Sequence, residues 1–189
     1  TANILNPQTR FICVRYGNVL ASRGSVIPLF HSQIRNGGPV TITVPEMTRF
    51  LLSLDHAVDT VFTALREARR GETYVPNAPA TSIINIAQAL IGNRPVEIKV
   101  TGIRPGEKID EIMVSEEEAY HCVKRGDYYA ILPMLPELHV EEEPVMKALE
   151  KEFSSADKVL DLDQTIELLK RNKLMIDDGD LAQGEELLR

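Results

Sequence analysis

The sequence predicts an α/β protein in which short strands alternate with helices. Three observations favour this class. β-branched and aromatic residues cluster in short runs, glycine and other turn residues follow those runs, and the apolar residues between them recur at helical spacing. Helical crossovers favour parallel pairing of the strands that they connect. The 189 residues suffice for one domain with its own core plus an appendage.

Four predicted strands are short and rich in β-branched or aromatic residues. They lie at residues 10–16, 40–44, 73–75 and 96–100. The turn pair Gly17-Asn18 ends the first of them. The strands are therefore spaced widely enough for a helix between each consecutive pair.

Three helices occupy those spaces. The first covers residues 26–34 and ends at a glycine pair. The second begins at Ser53 or Asp55, either of which can cap it. Its apolar residues recur at helical spacing: Leu54, Val58, Val61, Phe62 and Leu65. Ser82 can cap the third helix, which covers residues 83–91.

The remainder of the chain divides into a body, residues 1–138, and an acidic helical tail, residues 139–189. A basic turn at residues 104–108 and a late strand at residues 127–132 complete the body. The run Glu141–Pro144 predicts a linker. Amphipathic helices are predicted around residues 145–153, 164–172 and 181–188. Residues 137–189 carry 15 acidic and 7 basic side chains, whereas the whole chain has a net charge of −7.

Composition excludes several classes of function. No apolar run approaches the ~20 residues of a membrane span, and no basic face suggests nucleic-acid binding. No cysteine and histidine cluster has zinc-site spacing, so no metal site is predicted. Cys13 and Cys122 lie far apart in sequence, as is typical of free thiols in a reducing cytoplasm. The chain also begins abruptly before its first strand, which suggests a piece of a longer protein.

Two motifs of dinucleotide and nucleotide enzymes are missing from the sequence. There is no G-x-G-x-x-G loop after a strand and no Walker A loop. Tyr120 and Lys124 do fit the pattern Y-x-x-x-K, which places a phenol near an ammonium group on one helix face. Because this pair follows three consecutive glutamates late in the chain, we expect it to lie on the surface.

Three arginines lie in or beside turns: Arg23, Arg49 and Arg104. Ligands of α/β sheets bind beyond the ends of strands, where such turns lie. A guanidinium group is permanently charged and can bind phosphate through two N–H groups. Any one of these arginines is more often a solvated surface residue. The three together, each next to Gly, Pro or Thr, favour phosphate binding more than one alone does, but by themselves they do not establish it.

Three longer strings carry a resemblance to a known family. They are VRYGNVLASRGSVIPLF at residues 14–30, PEMTRF at residues 45–50 and GIRPGEK at residues 102–108. Together they resemble the polysaccharide-biosynthesis branch of the extended short-chain dehydrogenases/reductases, which contains inverting UDP-N-acetylglucosamine 4,6-dehydratases and UDP-hexose 4-epimerases. The resemblance covers residues 9–138. It implies the C-terminal part of a Rossmann-like doubly wound sheet, with a small α/β substrate-binding domain and a helical tail.

The resemblance also implies roles for individual residues. Tyr16 and Gly17 would lie at the nicotinamide end of a bound NAD(P). Eight residues would bind the UDP-sugar: Asn18, Ser25, Val26, Thr41, Thr43, Arg49, Arg104 and Glu107. Among these, Asn18 and the two arginines would contact the diphosphate, the two threonines would contact the uracil through backbone groups, and Glu107 would hold the ribose hydroxyls.

No catalytic residue is expected in this chain, because the family's glycine-rich loop and catalytic Tyr-x-x-x-Lys precede the segment that it matches. NAD(P) would be bound mainly by that N-terminal half, which would also be a partner of this chain. We further expect a homo-oligomer in the cytoplasm. The first string favours the 4,6-dehydratase over the 4-epimerase. A third hypothesis is a non-catalytic module, which binds a UDP-sugar or assembles through its tail.

Overall fold

The computed structural model describes residues 2–138 and 147–177. The helices within these ranges are α1 Ala2–Leu5, α2 Val26–Arg35, α3 Leu54–Glu67, α4 Ile83–Ile91, α5 Glu116–Ala119 and α6 Leu162–Arg171. The strands are β1 Cys13–Val14, β2 Asn18–Val19, β3 Val40–Ile42, β4 Thr48–Leu52, β5 Thr73–Pro76, β6 Ala80–Ser82, β7 Ile98–Val100, β8 Ile112–Val114, β9 Cys122–Arg125, β10 Tyr128–Ile131, β11 Phe153–Ser154 and β12 Val159–Leu160.

These strands form two larger sheets and two strand pairs. The first sheet has the order β1-β5-β10-β9, and the second has the order β12-β6-β4-β2. The pairs are β3 with β7 and β8 with β11. Parallel pairing joins β1 to β5, β2 to β4, β3 to β7 and β6 to β12. The predicted parallel crossovers are therefore present, together with antiparallel pairs such as β4 with β6 and β9 with β10.

The helices α2, α3 and α4 form where the sequence predicts them, and their caps explain their starts. Ser53, and not Asp55, caps α3, because its side chain accepts a hydrogen bond from the His56 N–H at 3.1 Å. Ser82 caps α4 in the same way through the Asn85 N–H at 3.3 Å. Each cap pairs a backbone donor that the first helical turn leaves without an intrahelical partner.

Two elements differ from the sequence-based expectation. Of the strand predicted at residues 10–16, only Cys13–Val14 forms a strand, β1. Asn18, which was predicted to lie in a turn, is instead the first residue of β2. The helix predicted around residues 145–153 is wrong over its described part. There, Lys147 forms a β-bridge with Val123, and Phe153 begins β11. Pairing with distant strands therefore prevails over local helical spacing in these segments.

The described part of the tail packs onto the body of the protein. β11 pairs with β8, and β12 pairs with β6. α6 packs on α4, and Thr165 hydrogen-bonds Thr81 at 2.7 Å with both side chains buried. α6 confirms the helix predicted at residues 164–172. The predicted linker and the last predicted helix lie outside the described residues.

α3 exposes its large apolar residues, although an amphipathic helix usually buries them against the core. Its buried residues are Ala57, Thr60, Thr63 and Ala64. The apolar stripe that predicted the helix faces away from the described residues, with exposed fractions between 39% for Val61 and 66% for Leu54. Within the described ranges, no helix is long and apolar enough to cross a membrane.

Candidate functional site

The connection between β7 and β8, residues 101–111, organises the candidate site. At its start, the N–H groups of Thr101 and Gly102 donate to the carbonyls of Ile42 and Thr43 at 2.8 and 3.0 Å. At its end, the Arg49 guanidinium donates to the carbonyls of Lys108 and Ile109, each at 2.9 Å. The segment is thus fixed at both ends, beside Thr43 and beside Arg49, and the turn that carries Arg104 and Glu107 lies between these two attachments.

A tight turn shapes the middle of the 101–111 segment. The Glu107 N–H donates to the Arg104 carbonyl at 3.1 Å, and Gly106 has a φ of 87°. Proline at the second position and a left-handed glycine at the third are typical of a type II turn. The Glu107 carboxylate accepts from the Arg104 N–H at 2.9 Å. Among the described residues, the exposed Arg104 side chain makes no hydrogen bond, so its guanidinium is free to bind an anion.

Arg49 is in a different situation, because most of its donors are in use. Its side chain is only 17% exposed. Besides the two carbonyls of the 101–111 segment, it donates to the Thr48 carbonyl at 2.6 Å and lies 3.5 Å from the Glu111 carboxylate through Nε. A guanidinium has five N–H groups, so only one remains unassigned. Arg49 therefore joins β4 to the 101–111 segment and has little capacity left for a ligand.

Glu111 is a residue of this site that the sequence-based reasoning missed. With the Asn18 amide oriented by its hydrogen bonds, Asn18 Nδ2 lies 2.9 and 3.0 Å from the two carboxylate oxygens of Glu111, so that one N–H is shared between them. Burial raises the pKa of the Glu111 carboxyl, while Arg49, the Phe50 N–H and Lys108 act in the opposite direction. Glu111 thereby brings two predicted ligands of the diphosphate, Asn18 and Arg49, to one carboxylate.

A buried polar network supports Glu111 from the tail. Ser155 is fully buried, and its hydroxyl accepts from the Glu111 N–H at 2.8 Å and contacts Thr48 Oγ1 at 2.6 Å. Thr48 also donates to Asp110 Oδ1 at 2.7 Å. The hydrogen-bonded partners are 44 to 107 residues apart along the chain. No local sequence pattern could have indicated these contacts.

Tyr16 and Gly17 lie where the chain passes from one large sheet to the other, between β1 and β2. The neighbouring Arg15 fixes this junction through a bidentate ion pair with Glu118 at 2.7 and 2.9 Å. This hydrogen bonding lowers the pKa of the Glu118 carboxyl and raises that of Arg15. A Cβ atom at Gly17 would lie 2.6 Å from the Phe50 Cβ, so only glycine fits. Tyr16 remains 42% exposed.

Ser25 and Val26 lie at the start of α2. Ser25 is the N-cap residue by position, but its hydroxyl makes no capping hydrogen bond. Its oxygen is buried without a hydrogen-bond partner among the described residues. Val26 is partly buried against the core that α2 shares with α4. The start of α2 thus presents a polar atom that is unsatisfied within the described structure.

The two threonines predicted to contact uracil have unequal backbone capacity. The Val40 N–H donates to the Glu97 carbonyl, and the Thr101 N–H donates to the Ile42 carbonyl, so Val40 and Ile42 both pair with the segment that contains β7. The backbone groups of Thr41 therefore face the opposite edge of β3. There, the Gln33 carboxamide accepts from the Thr41 N–H at 3.0 Å and donates to its hydroxyl at 2.7 Å. The Thr43 carbonyl is already bonded by Gly102. The Thr41 carbonyl therefore remains as an acceptor on this edge.

Tyr120 and Lys124 do not share a helix face. Tyr120 follows α5 as its C-cap residue and is 60% exposed, whereas Lys124 lies in β9. Lys147 lies over the Tyr120 ring, with Nζ 4.1 Å from the centroid. The geometry that the helical spacing would have required is absent, and the two residues are at the surface.

Comparisons with known proteins agree on one family. A family model described as polysaccharide biosynthesis protein matches residues 1–133. A Rickettsia massiliae protein named UDP-glucose 4-epimerase is 43% identical over 177 residues, which cover 89% of this chain and 52% of that protein. A Methanocaldococcus jannaschii protein named as an uncharacterized membrane protein is 36% identical over 161 residues, or 80% of this chain and 48% of that protein. The chain thus spans about half the length of these relatives.

A solved structure supports the same fold. The X-ray structure of Pen from Bacillus thuringiensis matches with a TM-score of 0.82 and 27% sequence identity. The match covers 92% of this chain and 54% of that one. The predicted fold class is confirmed: a mixed α/β fold with parallel strand pairs that resembles the C-terminal part of a Rossmann-like dehydrogenase/reductase.

Proposed function

The chain belongs to the polysaccharide-biosynthesis family of extended short-chain dehydrogenases/reductases, and from this we propose that it is the UDP-sugar-binding half of a nucleotide-sugar epimerase or dehydratase. The observation that carries the proposal is the 101–111 segment. It is anchored beside Thr43 and Arg49, and its turn carries the exposed Arg104, whose guanidinium makes no hydrogen bond among the described residues. A cation at the end of a strand suits the diphosphate of a UDP-sugar.

The two arginines have different parts in this proposal. Arg49 has one N–H group left and supports the site chiefly by holding the 101–111 segment against β4. Arg104 has an exposed guanidinium on a turn and supplies the main charge to the diphosphate. Glu107, which already braces the same turn, accepts hydrogen bonds from ribose hydroxyls with its second oxygen.

We expect Arg104→Ala to weaken binding of UDP-N-acetylglucosamine about tenfold, because one charge-assisted contact to the diphosphate is lost. Isothermal titration calorimetry on the 189-residue chain measures this change. Arg171→Ala, which removes an exposed arginine from the end of α6, is the matched control and should bind as the wild type does. Equal affinity of Arg104→Ala and wild type would contradict the assignment of the diphosphate site.

The cofactor proposal follows from what this chain contains and what its sequence lacks. NAD(P), when bound, accepts a hydride from C4 of the sugar and later returns it. This chain contributes Tyr16 and Gly17, which the Arg15–Glu118 pair holds at the junction of the two sheets. A glycine-rich loop and a Tyr-x-x-x-Lys pair would come from the half of the relatives' length that this chain does not match.

The exposed apolar face of α3 supports a proposal about that other half. Five apolar residues of α3 point away from the described structure: Leu54, Val58, Val61, Phe62 and Leu65. Among the strands that the structure describes, β1 also has a neighbour on one edge only, β5. We propose that a helix and a strand of the other half cover these two surfaces. A patch of this kind is otherwise rare on a monomeric protein.

In the absence of that half, we expect the chain to self-associate through α3. Val58→Lys with Phe62→Lys should increase the fraction of monomer, because two charges replace apolar contacts in the interface. Analytical ultracentrifugation measures the fraction. Asp59→Lys, which places a cation elsewhere on the same helix, is the control and should not dissociate the assembly. A wild-type chain that is monomeric at the same concentration would refute the expectation.

Two outcomes for the oxidised sugar remain as candidates. The string at residues 14–30 favours the inverting 4,6-dehydratase, in which water is lost across C5 and C6 and the hydride returns to C6. The name of the Rickettsia massiliae relative favours the 4-epimerase, in which the hydride returns to C4 on the other face. We propose the dehydratase. Co-expression with the other half and NMR of UDP-N-acetylglucosamine tests it, and a C4 epimer without a 4-keto-6-deoxy product would exclude it.

The same proposal places the protein in the cytoplasm and within a homo-oligomer. Both thiols are free, with Cys13 exposed and Cys122 buried, as is usual in a reducing compartment.

Burial raises the pKa of the Cys122 thiol to about 12. This thiol is therefore a packing group and not a nucleophile.

A further inference from the structure

The Glu111 carboxylate lies where three separate segments of the chain meet. Its two oxygens lie 2.9 and 3.0 Å from Nδ2 of Asn18 on β2, which donates to them. Its Oε1 also lies 3.5 Å from Arg49 Nε. One carboxylate of the 101–111 segment therefore contacts both residues that were predicted to bind the diphosphate from β2 and β4.

The contact with Asn18 determines which atoms of that amide remain available. Seen from the amide nitrogen, the directions to the two carboxylate oxygens differ by much less than the angle between its two N–H bonds. Only one N–H can therefore point at Glu111, although Nδ2 is close to both of its oxygens. The second N–H has no acceptor among the described residues and can donate to a ligand, in a direction that the contact with Glu111 fixes.

The backbone of Glu111 is itself held in place from the tail. Its N–H donates to the Ser155 hydroxyl, and the Ser155 N–H donates to the Glu111 carbonyl, each at 2.8 Å. Ser155 is fully buried, so water does not compete for these hydrogen bonds. The Glu111 side chain therefore projects toward Asn18 and Arg49 from a fixed base.

We propose that Glu111 is a positioning residue, whose carboxylate orients the Asn18 amide for the diphosphate of a UDP-sugar and helps to hold Arg49 in place, without contacting the sugar nucleotide itself. The inference rests on the proposed function, since it assumes a UDP-sugar at this site. Direct contact is unfavourable, because a carboxylate repels a diphosphate. Both oxygens of Glu111 are also used by protein donors.

Glu111→Asp is the most informative substitution, because it keeps the charge and withdraws the carboxylate by one methylene. The shorter side chain cannot reach Asn18 and Arg49 together. We expect about a tenfold loss of affinity for UDP-N-acetylglucosamine in the full 189-residue chain, measured by calorimetry. Glu116→Asp, the same change at an exposed position in α5, is the matched control and should not alter affinity.

A double-mutant cycle separates positioning from general damage. If Glu111 acts through Asn18, Glu111→Asp should cost less than about twofold in affinity when it is combined with Asn18→Ala. A tenfold loss in both backgrounds would overturn the proposal. If the wild-type chain binds no UDP-sugar, the proposed function and this inference both fail. If wild type binds and Arg104→Ala weakens binding while Glu111→Asp does not, only the inference fails.

NMR of the Asn18 side-chain amide provides a second readout, which follows the contact with Glu111 in the wild-type chain. Its signal, identified by its loss in Asn18→Ala, should titrate as Glu111 gains a proton. Because burial raises the pKa of Glu111 against the opposing charges of Arg49 and Lys108, the change should occur above the pH range of an exposed glutamate. Glu111→Gln should abolish it. An Asn18 signal that is independent of pH in the wild type would refute the contact.

Discussion

Arg125→Ala is expected to lower the free energy of unfolding by about 3–5 kcal/mol, because it leaves a buried carboxylate without its countercharge. The partner is Glu72, whose side chain is only 1% exposed. Arg125 on β9 donates to both oxygens of Glu72, at 2.7 and 2.8 Å, and also to the Tyr74 hydroxyl at 3.3 Å. Chemical denaturation followed by circular dichroism measures the loss.

The control for this prediction is an ion pair of similar geometry at the surface. Arg94 donates to both oxygens of Asp177 at 3.0 and 2.9 Å, but the Asp177 side chain is 85% exposed. Asp177→Ala should therefore leave the stability almost unchanged. If Asp177→Ala and Arg125→Ala were equally destabilising, burial would not be what makes the Glu72 pair important.

Gly17→Ala is expected to lower the free energy of unfolding by about 1–3 kcal/mol, because its new methyl group cannot be accommodated. The added Cβ would lie 2.6 Å from the Cβ of Phe50. Phe50 lies on β4, is 1% exposed and belongs to a cluster of buried apolar residues. Since Gly17 precedes Asn18, the displacement should also weaken UDP-sugar binding. Thermal unfolding and calorimetry on one sample measure both effects.

Two comparisons identify the cause. Phe50→Leu should not rescue Gly17→Ala, because leucine retains the Cβ that causes the clash. Gly24→Ala meets no atom within 4 Å and is strained only by its φ of 75°, so its loss of stability reports backbone strain without a clash and should not weaken UDP-sugar binding. A rescue by Phe50→Leu would show that close packing against Phe50 is not the reason for glycine at position 17.

Local signals explain why much of the fold could be predicted. A helix depends on residues within a few positions of each other, and its caps are local as well. The spacing of apolar residues and the serines before α3 and α4 therefore sufficed for these helices. The same spacing could not decide what the apolar stripe of α3 packs against. In the described structure it is α3's small residues, such as Ala57 and Ala64, that are buried instead.

The candidate site divides in the same way. The roles of Arg104 and Glu107 as ligands stay predictions. The turn that contains them and their mutual hydrogen bonds was predictable, because a proline and a glycine within a few residues specify it. Glu111 and Ser155 were not, because their roles arise from contacts with Asn18, Thr48 and Arg49 across the folded chain.

By itself, the sequence determined the family, the α/β class, the main helices and the residue types that suit a sugar nucleotide. Only the tertiary structure decided that Arg49 has most of its donors occupied, while the Arg104 side chain makes no hydrogen bond to any residue that the structure describes. It alone decided that the carboxylate of Glu111 contacts Asn18, and that Ser155 from the tail hydrogen-bonds the backbone of Glu111. The physical reason is that the segments in contact determine which hydrogen-bond donors are occupied and which side chains are buried. Segments that are far apart in sequence carry no local pattern that predicts their contact.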